Sequence, residues 1–491
     1  MPEPTLKCNG KMSGWSTNFY AEWRRRSGVL AALREDPAVP PEHLLQAVWF
    51  HQRLCRDRLK TLDGQRVHVL HPGFWNHEAG PDFREAMLQF EGGPPRSCDV
   101  EVDLHTSGWV AHRHHANPNF KRVALHVVWE GSADPQLPTL ALPSFLDAPL
   151  DELALWLSSE AALSFPQALQ GKCCAPLSEL ASDRLLELLR QAALVRLQSK
   201  AAQCQARARQ AGWEQALWEG MFRALGYKHN VWPMQRLAEL RARLCPAKTR
   251  PEPLVLQARL LGMGGLLPSE LPKAPASTER YWRRLWDLWW REREAFADGL
   301  LPRALWRFSG LRPANHPQRR LALAAHWLAA GDLVSRLEKW GTSSWEAAEM
   351  VPAMLAALHV AGDDFWSWHW TLRAPRLAKI QPLIGATRVT DLAVNVILPW
   401  LWSRAAEGRN QALCRELERR YLAWPPAEDN ALLRLARQRL LGASPVRLRR
   451  GAAAQQGLLQ IVRDFCEHSN ALCENCQFPE GVRQWQAECR S

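Results

Sequence analysis

The sequence predicts a small α/β domain followed by a much larger all-α domain. Between residues 66 and 129 the apolar residues alternate or run β-branched, the period-2 signature of strands, and a segment of helical spacing precedes them. From Ser178 onward the spacing is almost purely helical. The 491 residues suffice for about two to four domains with a sizeable core.

Taken in order, residues 15 to 52 read as helices, because Leu44, Leu45, Val48, Trp49 and Leu54 recur at helical spacing after Pro40 and Pro41. Strands are expected at 66–70 (RVHVL), 86–90 (AMLQF), 98–105 (CDVEVDLH) and 122–129 (RVALHVVW). Asp63-Gly64, Gly92-Gly93-Pro94-Pro95 and Asn117-Pro118 punctuate them. Residues 131 to 176 carry Pro135, Pro138, Pro143, Pro149 and Pro166, and read as a connector with one short helix near 150–164. An α/β domain over 15–165 follows. The next helix holds Leu185, Leu186, Leu188, Leu189, Val195 and Leu197, with Asp183 as its expected cap and Gly212 as its stop. Further helices are expected at about 213–225, 232–243, 253–263, 278–296, 317–330, 345–360, 388–405, 409–422, 430–441 and 452–467. They divide into a helical domain over 175–445 and a C-terminal helix with a cysteine cluster over 446–491.

Hydrophobic residues at 47% and charged residues at 23% exclude fibrous and disordered classes. The formal net charge of +12 favours a polyanion, and nucleic acid, DNA or RNA, is the first partner expected. Most of the basic residues are Arg, suited to bidentate phosphate contact, although a G+C-rich genome produces the same bias. The opening MPEPTLKCNGKMSGWS lacks the apolar stretch of a signal peptide. The run 393–402 (AVNVILPWLW) is too short to span a bilayer and reads as a buried helix. A cytoplasmic protein with no membrane partner is expected.

The densest chemistry lies between His71 and His126. A Gly-Pro pair delivers Asp82 at a turn beside a strand, and Glu101 lies on the next strong strand. Alternation puts Asp99, Glu101, Asp103 and His105 on one face. Carboxylates so placed are tolerable when a divalent cation neutralises them, and hard oxygen ligands suit Mg²⁺ or Mn²⁺. The alternative is a solvated acidic face. His112, His114 and His115 follow Trp109, and two of them with a carboxylate suit a softer transition metal. Surface solvation is the plainer reading for His114 and His115. His126, between Leu125 and Val127, reads as a hydrogen-bonded core histidine.

The order Pro81-Asp82, a loop and strand, then Glu101-x-Asp103 resembles the PD-(D/E)xK nuclease superfamily. That resemblance implies a restriction-endonuclease-like mixed sheet, with Asp82 and Glu101 as metal ligands. Its third slot is normally Lys. Asp103 stands there as a third carboxylate, leaving His105 or His112 to handle protons. A longer resemblance rests on Leu59-x-Thr61-x-Asp63-Gly64, His71-Pro72-Gly73, Gly80-Pro81-Asp82-Phe83-x-x-Ala86, Val100-Glu101, Trp109-x-x-His112-x-His114, Leu125-His126-Val127-Val128, Gly226-Tyr227-Lys228-x-Asn230 and Leu311-Arg312-Pro313-x-Asn315-x-Pro317. Over about residues 40–480 the chain looks like the bacterial family catalogued as domain of unknown function 2851, which implies little about activity. In many members His is expected where this chain has Asp103.

Cys466, Cys473 and Cys476 stand in C-x6-C-x2-C, with His468 inside and Cys489 beyond. A structural Zn²⁺ site needs one more ligand, and Cys173 or Cys174 would tie the two ends of the helical region together. An iron-sulfur cluster is the other option, since some PD-(D/E)xK nucleases resemble this layout, and ordinary buried thiols are the third. Trp282, Trp286, Trp289 and Arg293 share one helix face and read as packing. Arg447, Arg449 and Arg450, beside Arg437 and Arg439, form a basic patch fit for phosphates, with Arg312 a further candidate contact. Asn315 is expected to cap the helix after it.

The reading that unites these features is a metal-dependent nuclease hydrolysing nucleic-acid phosphodiesters. Its rivals are a non-catalytic nucleic-acid-binding protein with a degenerate nuclease fold, and a zinc-dependent hydrolase of a non-nucleic substrate using His112, His114 and His126.

Overall fold

The computed structural model describes residues 18–26, 40–76, 80–157, 173–246, 250–268, 270, 276–442, 451–466, 476 and 478–488. Its N-terminal part is a mixed sheet, and most of the remainder is helical. The first helices are α1 (Phe19–Arg26) and α2 (Glu42–His51). Six strands follow: β1 (Val67–His71), β2 (Phe74–Trp75), β3 (Phe83–Phe90), β4 (Arg96–His105), β5 (Val123–Glu130) and β6 (Thr139–Ala141). Between β4 and β5 the chain forms the short helix α3 (Gly108–Ala111) and two 3₁₀ turns, and α4 (Leu150–Leu157) comes after β6.

The sheet order is β1-β3-β4-β5-β6, with β2 also on β3. β1 and β2 pair antiparallel with β3, as does β3 with β4, whereas β4, β5 and β6 run parallel. The four expected strands are present. β2 and β6 were not foreseen, since two or three residues are too few to show a period of 2. Val100 and Val102 of β4 face a core made with Leu125 and Val127 of β5 and with Leu45, Val48 and Trp49 of α2. That burial fixes the register. It also commits Asp99, Glu101 and Asp103 to the opposite face.

The helical region begins with α5 (Cys174–Ser178), α6 (Ser182–Ala211), α7 (Trp213–Leu225) and α8 (Val231–Glu239). Gly212 stops α6 as expected, with φ 85°. Its N-cap, however, is Ala181, and no side chain caps it; Asp183 lies one residue inside the first turn, where a carboxylate still opposes the helix dipole. Likewise His316, not Asn315, caps the helix Pro317–Ala330, while Asn315 accepts from Arg320 at 2.7 Å. The helix Leu333–Thr342 was not foreseen, because Gly331 at φ 69° ends its predecessor only two residues earlier. The expected helix 388–405 is present over 386–407 and contains a π segment, Ala393–Ile397.

Packing explains much of the tryptophan usage. Trp327, Trp366, Trp400 and Trp424 are fully buried in the helical core, joined there by Trp282 and Trp289. Trp286 is half-buried and stacks on exposed Trp290. Leu70 of β1 belongs to this same core, and Arg56 reaches Glu239 of α8 at 2.8 Å, so the sheet and the helices are pinned to each other. Among the described residues no helix is long and apolar enough to cross a membrane.

Candidate acidic and histidine site

The bulge in β3 positions the first carboxylate. Glu85 adopts φ 56° there and its N–H donates to Asp99 Oδ1 at 3.0 Å, so Asp99 is occupied in holding the bulge. Asp82, just before β3, turns its carboxyl along β4: Oδ2 accepts from the Val102 N–H at 3.0 Å and Oδ1 from Gln46 Nε2 at 2.9 Å. Its own N–H donates to Glu101 Oε2 at 3.0 Å. Glu101 in turn stands 3.2 Å from His114 Nε2. Asp103 divides its oxygens between two histidines, Oδ2 at 2.9 Å from His126 Nε2 and Oδ1 at 3.5 Å from His112 Nδ1.

The crossover between β4 and β5 closes this face. Trp109 of α3 lies against the rings of His114, His126 and Phe120, and His114 stacks on Phe120 at 4.0 Å. The acidic face is therefore buried and not solvated: Asp99, Glu101 and Asp103 are each at most 6% exposed. His114 is largely covered as well, contrary to a solvated surface role, whereas His115 is exposed. His126 is the hydrogen-bonded core histidine its apolar neighbours imply.

Burial and mutual repulsion act on these carboxyls. Burial, then the charge of Glu42, Asp103 and their neighbours, pushes Asp82 up to about 7 against the pull of its hydrogen bonds. Burial followed by Asp82 pushes Glu101 up to about 9. Burial also raises Glu42, with Asp103 adding to the effect, and lowers His114. Glu42 and Gln46 of α2 are thus site residues that strand patterning could not reveal. The only signal was their i, i+4 spacing on the polar side of α2.

Asp103, His112 and His114 each offer a ligand atom within 4.8 Å of the others. His114 Nδ1 is buried without a hydrogen-bond partner, a ring nitrogen left open for coordination. One carboxylate and two imidazoles suit a divalent transition metal. His105 lies apart at the end of β4, half exposed, with Glu130 at 3.9 Å.

The other expected contacts are placed less centrally. Cys173, Cys466 and Cys476 fall in one apolar cluster where the two ends of the helical region meet, with Cys173 and Cys466 buried. Cys473, His468 and Cys489 lie outside the described residues, as do Arg447, Arg449 and Arg450. The basic patch expected beside them loses Arg439, which is 3% exposed, and Arg437 pairs with Asp429. Arg312 is exposed and pairs with Glu428.

A family model described as "Protein of unknown function (DUF2851)" matches residues 42–431. No curated protein and no solved structure matches the chain.

Proposed function

Starting from a chain that belongs to the DUF2851 family, whose description names no activity, we propose that it is a divalent-metal-dependent hydrolase of nucleic-acid phosphodiesters. The observation that carries this reading is the meeting of the Asp103, His112 and His114 ligand atoms, next to the hydrogen-bonded Asp82 and Glu101, where the β4–β5 crossover folds over the acidic sheet face. An antiparallel β1-β3-β4 unit continued by parallel β5 and β6, with Asp82 just before β3 and Glu101 on β4, supports a restriction-endonuclease-like core. The charge of +12 supports a polyanionic substrate.

Asp103, His112 and His114 would hold the cation; Asp82 and Glu101, expected as ligands from the resemblance, stand beside that group and outside it, with both Asp82 oxygens held by Val102 and Gln46. Such a cation supplies water activation and charge stabilisation on a phosphate. Nitrogen ligands favour Mn²⁺ or Zn²⁺ over Mg²⁺ in this set. His126 orients Asp103 from behind, as outer hydrogen bonds do for metal ligands. Gln46 and the Val102 N–H fix the Asp82 carboxyl, and His112, as a ligand, is not free to carry a proton. Asp103 therefore takes a ligand's part where Lys would activate water. A second, structural site for Zn²⁺ or an iron-sulfur cluster rests on the C-x6-C-x2-C spacing, with Cys466, Cys473, Cys476 and Cys173 as its ligands; the placement of Cys173, Cys466 and Cys476 in one apolar cluster supports it.

The test is cleavage of single- and double-stranded DNA and RNA by wild type, Asp82→Ala and Asp103→Asn, each with Mg²⁺, Mn²⁺ or Zn²⁺. Cleavage by wild type that both variants lose supports the reading and names the substrate. Binding without cleavage would replace it with a nucleic-acid-binding protein. A second reading, a zinc hydrolase of a non-nucleic substrate, is favoured by the two-imidazole, one-carboxylate donor set itself. It predicts bound Zn²⁺ that His112→Ala removes, with no turnover of any nucleic acid.

A further inference from the structure

The helix Ala276–Glu292 carries an aromatic column on its outer side. Trp286 and Trp290 stack at 4.4 Å with an interplanar angle of 12°, and the Arg293 guanidinium lies 3.4 Å from the centre of the Trp290 ring. One ring face cannot hold both neighbours at such distances, so Trp290 is sandwiched between them. Trp282 and Trp289 of the same helix serve the core, whereas Trp290 is 47% exposed. Among the described residues no ring and no guanidinium stacks on the other face of half-buried Trp286. The column is therefore built and left open at its Trp286 end.

Arg280, Arg284 and Arg291 recur at i, i+4 and i+11, an exposed stripe on the solvent side of the same helix. Among the described residues none of these three side chains, nor that of Arg293, forms an ion pair. Their neighbours are already matched: Arg283 reaches Glu279 at 2.9 Å, and Glu292 receives Arg259 at 2.6 Å. An adjoining segment adds charge. Phe365 stacks on Tyr281 of this helix at 4.1 Å, and Trp366 Nε1 donates to the Tyr281 hydroxyl at 2.6 Å. The chain then runs through 371–380 with Arg373, Arg376 and Lys379 exposed, no acidic residue, and no ion pair to any of the three among the described residues. Arg376 also lies over an indole, that of Trp368, at 4.1 Å. The exposed carboxylates in 276–294 and 364–380 are Asp287, Glu294 and Asp364, fewer than these cations. A π stack with an open end takes an unpaired base of any identity, and a guanidinium held flat on an indole keeps its edge donors for phosphate. In a duplex the base faces are stacked on each other, so the open end selects single strands.

We propose that this surface binds single-stranded nucleic acid, with an unpaired base stacked on Trp286 and phosphates held by Arg284, Arg291 and Arg293. The inference stands apart from the hydrolytic reading, because EDTA in every titration keeps cleavage out and leaves stacking and phosphate contacts in place. Fluorescence anisotropy is measured with a short labelled DNA or RNA strand and with its duplex, over a series of salt concentrations. The wild type should bind the single strand more tightly than the duplex. Trp286→Ala should weaken that binding by about 5- to 100-fold, while Trp286→Phe, which keeps a π face, retains most of it. Arg291→Gln should lower the slope of log affinity against log salt by about 0.7, the share of one phosphate on a single strand. Should Trp286→Ala fail to fold, Trp290→Ala at its exposed position replaces it, since it removes the support of the column. A duplex bound as tightly as the single strand, aromatic variants that bind like the wild type, an unchanged salt slope in Arg291→Gln, or no binding at all overturns the proposal.

Discussion

Asp103 and Gly108 stand so close that a Cβ at position 108 would lie 2.7 Å from Asp103 Oδ1 and 2.8 Å from its Cγ. The crossover can tuck over the carboxylate only because residue 108 has no side chain. Gly108→Ala therefore displaces Asp103 without altering a single ligand. Metal titration should show Mn²⁺ or Zn²⁺ binding weakened by about 10- to 100-fold, the usual consequence of disturbing a ligand's support, with the circular dichroism spectrum retained. Gly385→Ala, whose Cβ would meet nothing within 4 Å, is the control and should bind like wild type. Unchanged metal affinity in Gly108→Ala would remove Asp103 from the site.

His71 predicts an acid-sensitive fold. Its Nδ1 accepts the Gly73 N–H at 3.0 Å, a role open only to the neutral ring. Burial first, and nearby Arg307 second, push the imidazole down from 6.5 to about 4. The unfolded chain thus takes up a proton near pH 6.5 while the folded one resists until about pH 4, so stability falls as pH drops through that window. The loss attributable to His71 is on the order of 3 kcal/mol. His316, pushed down to about 4 by burial and Arg303, acts in the same direction. Urea midpoints measured from pH 7 to pH 4 should decline. His71→Asn, whose amide oxygen can still accept from Gly73, should flatten the decline; an unaltered slope would clear His71 of any part in it.

The helix Ala452–Phe465 packs on α6 through Gly457, where a Cβ would press into the Leu189 carbonyl. Backbone cannot yield as a side chain can. Gly457→Ala should cost roughly 1–3 kcal/mol, read as a lower urea midpoint at an unchanged slope. A neutral result would show that the two helices are free to separate.

Tyr20 donates to Asp464 Oδ2 at 2.7 Å and Arg24 reaches Oδ1 at 2.9 Å, tying α1 to that same late helix. Asp464 is fully buried and also accepts from Gln460 Nε2 at 3.0 Å, so loss of its charge weakens its contacts with Tyr20, Arg24 and Gln460 together. Asp464→Asn should destabilise by about 3–5 kcal/mol, and Tyr20→Phe by about 1–3 kcal/mol. A double variant losing the full sum of both would show that the two groups do not interact.

How much of this was legible varies with the reach of the signal. The β4 pattern placed Glu101 and Asp103 on one face because alternation is a local rule, and apolar Val100 and Val102 chose which face. Glu42 and Gln46 were missed because nothing within α2 says that its polar side meets Asp82, 36 residues beyond Gln46. The acidic face was open to a solvated reading for the same cause: the cover, Trp109 and Phe120, belongs to a later segment. Asp183 fits the composition of a cap, yet the helix already starts at Ser182, with Ala181 at φ −58° and ψ 144° before it.

The sequence by itself determined the four main strands, the long helices, the stop at Gly212 and the common face of three carboxylates. These follow from periodicity and backbone preference, which act within a few residues. Only the tertiary structure decided the sheet order, the pairing of Asp103 with His112 and His126, and the approach of α2 to Asp82. Each depends on groups, apolar in the sheet and charged at the site, that are brought out of water by segments far apart in the chain. Their energies belong to the enclosed arrangement, and no single segment carries it.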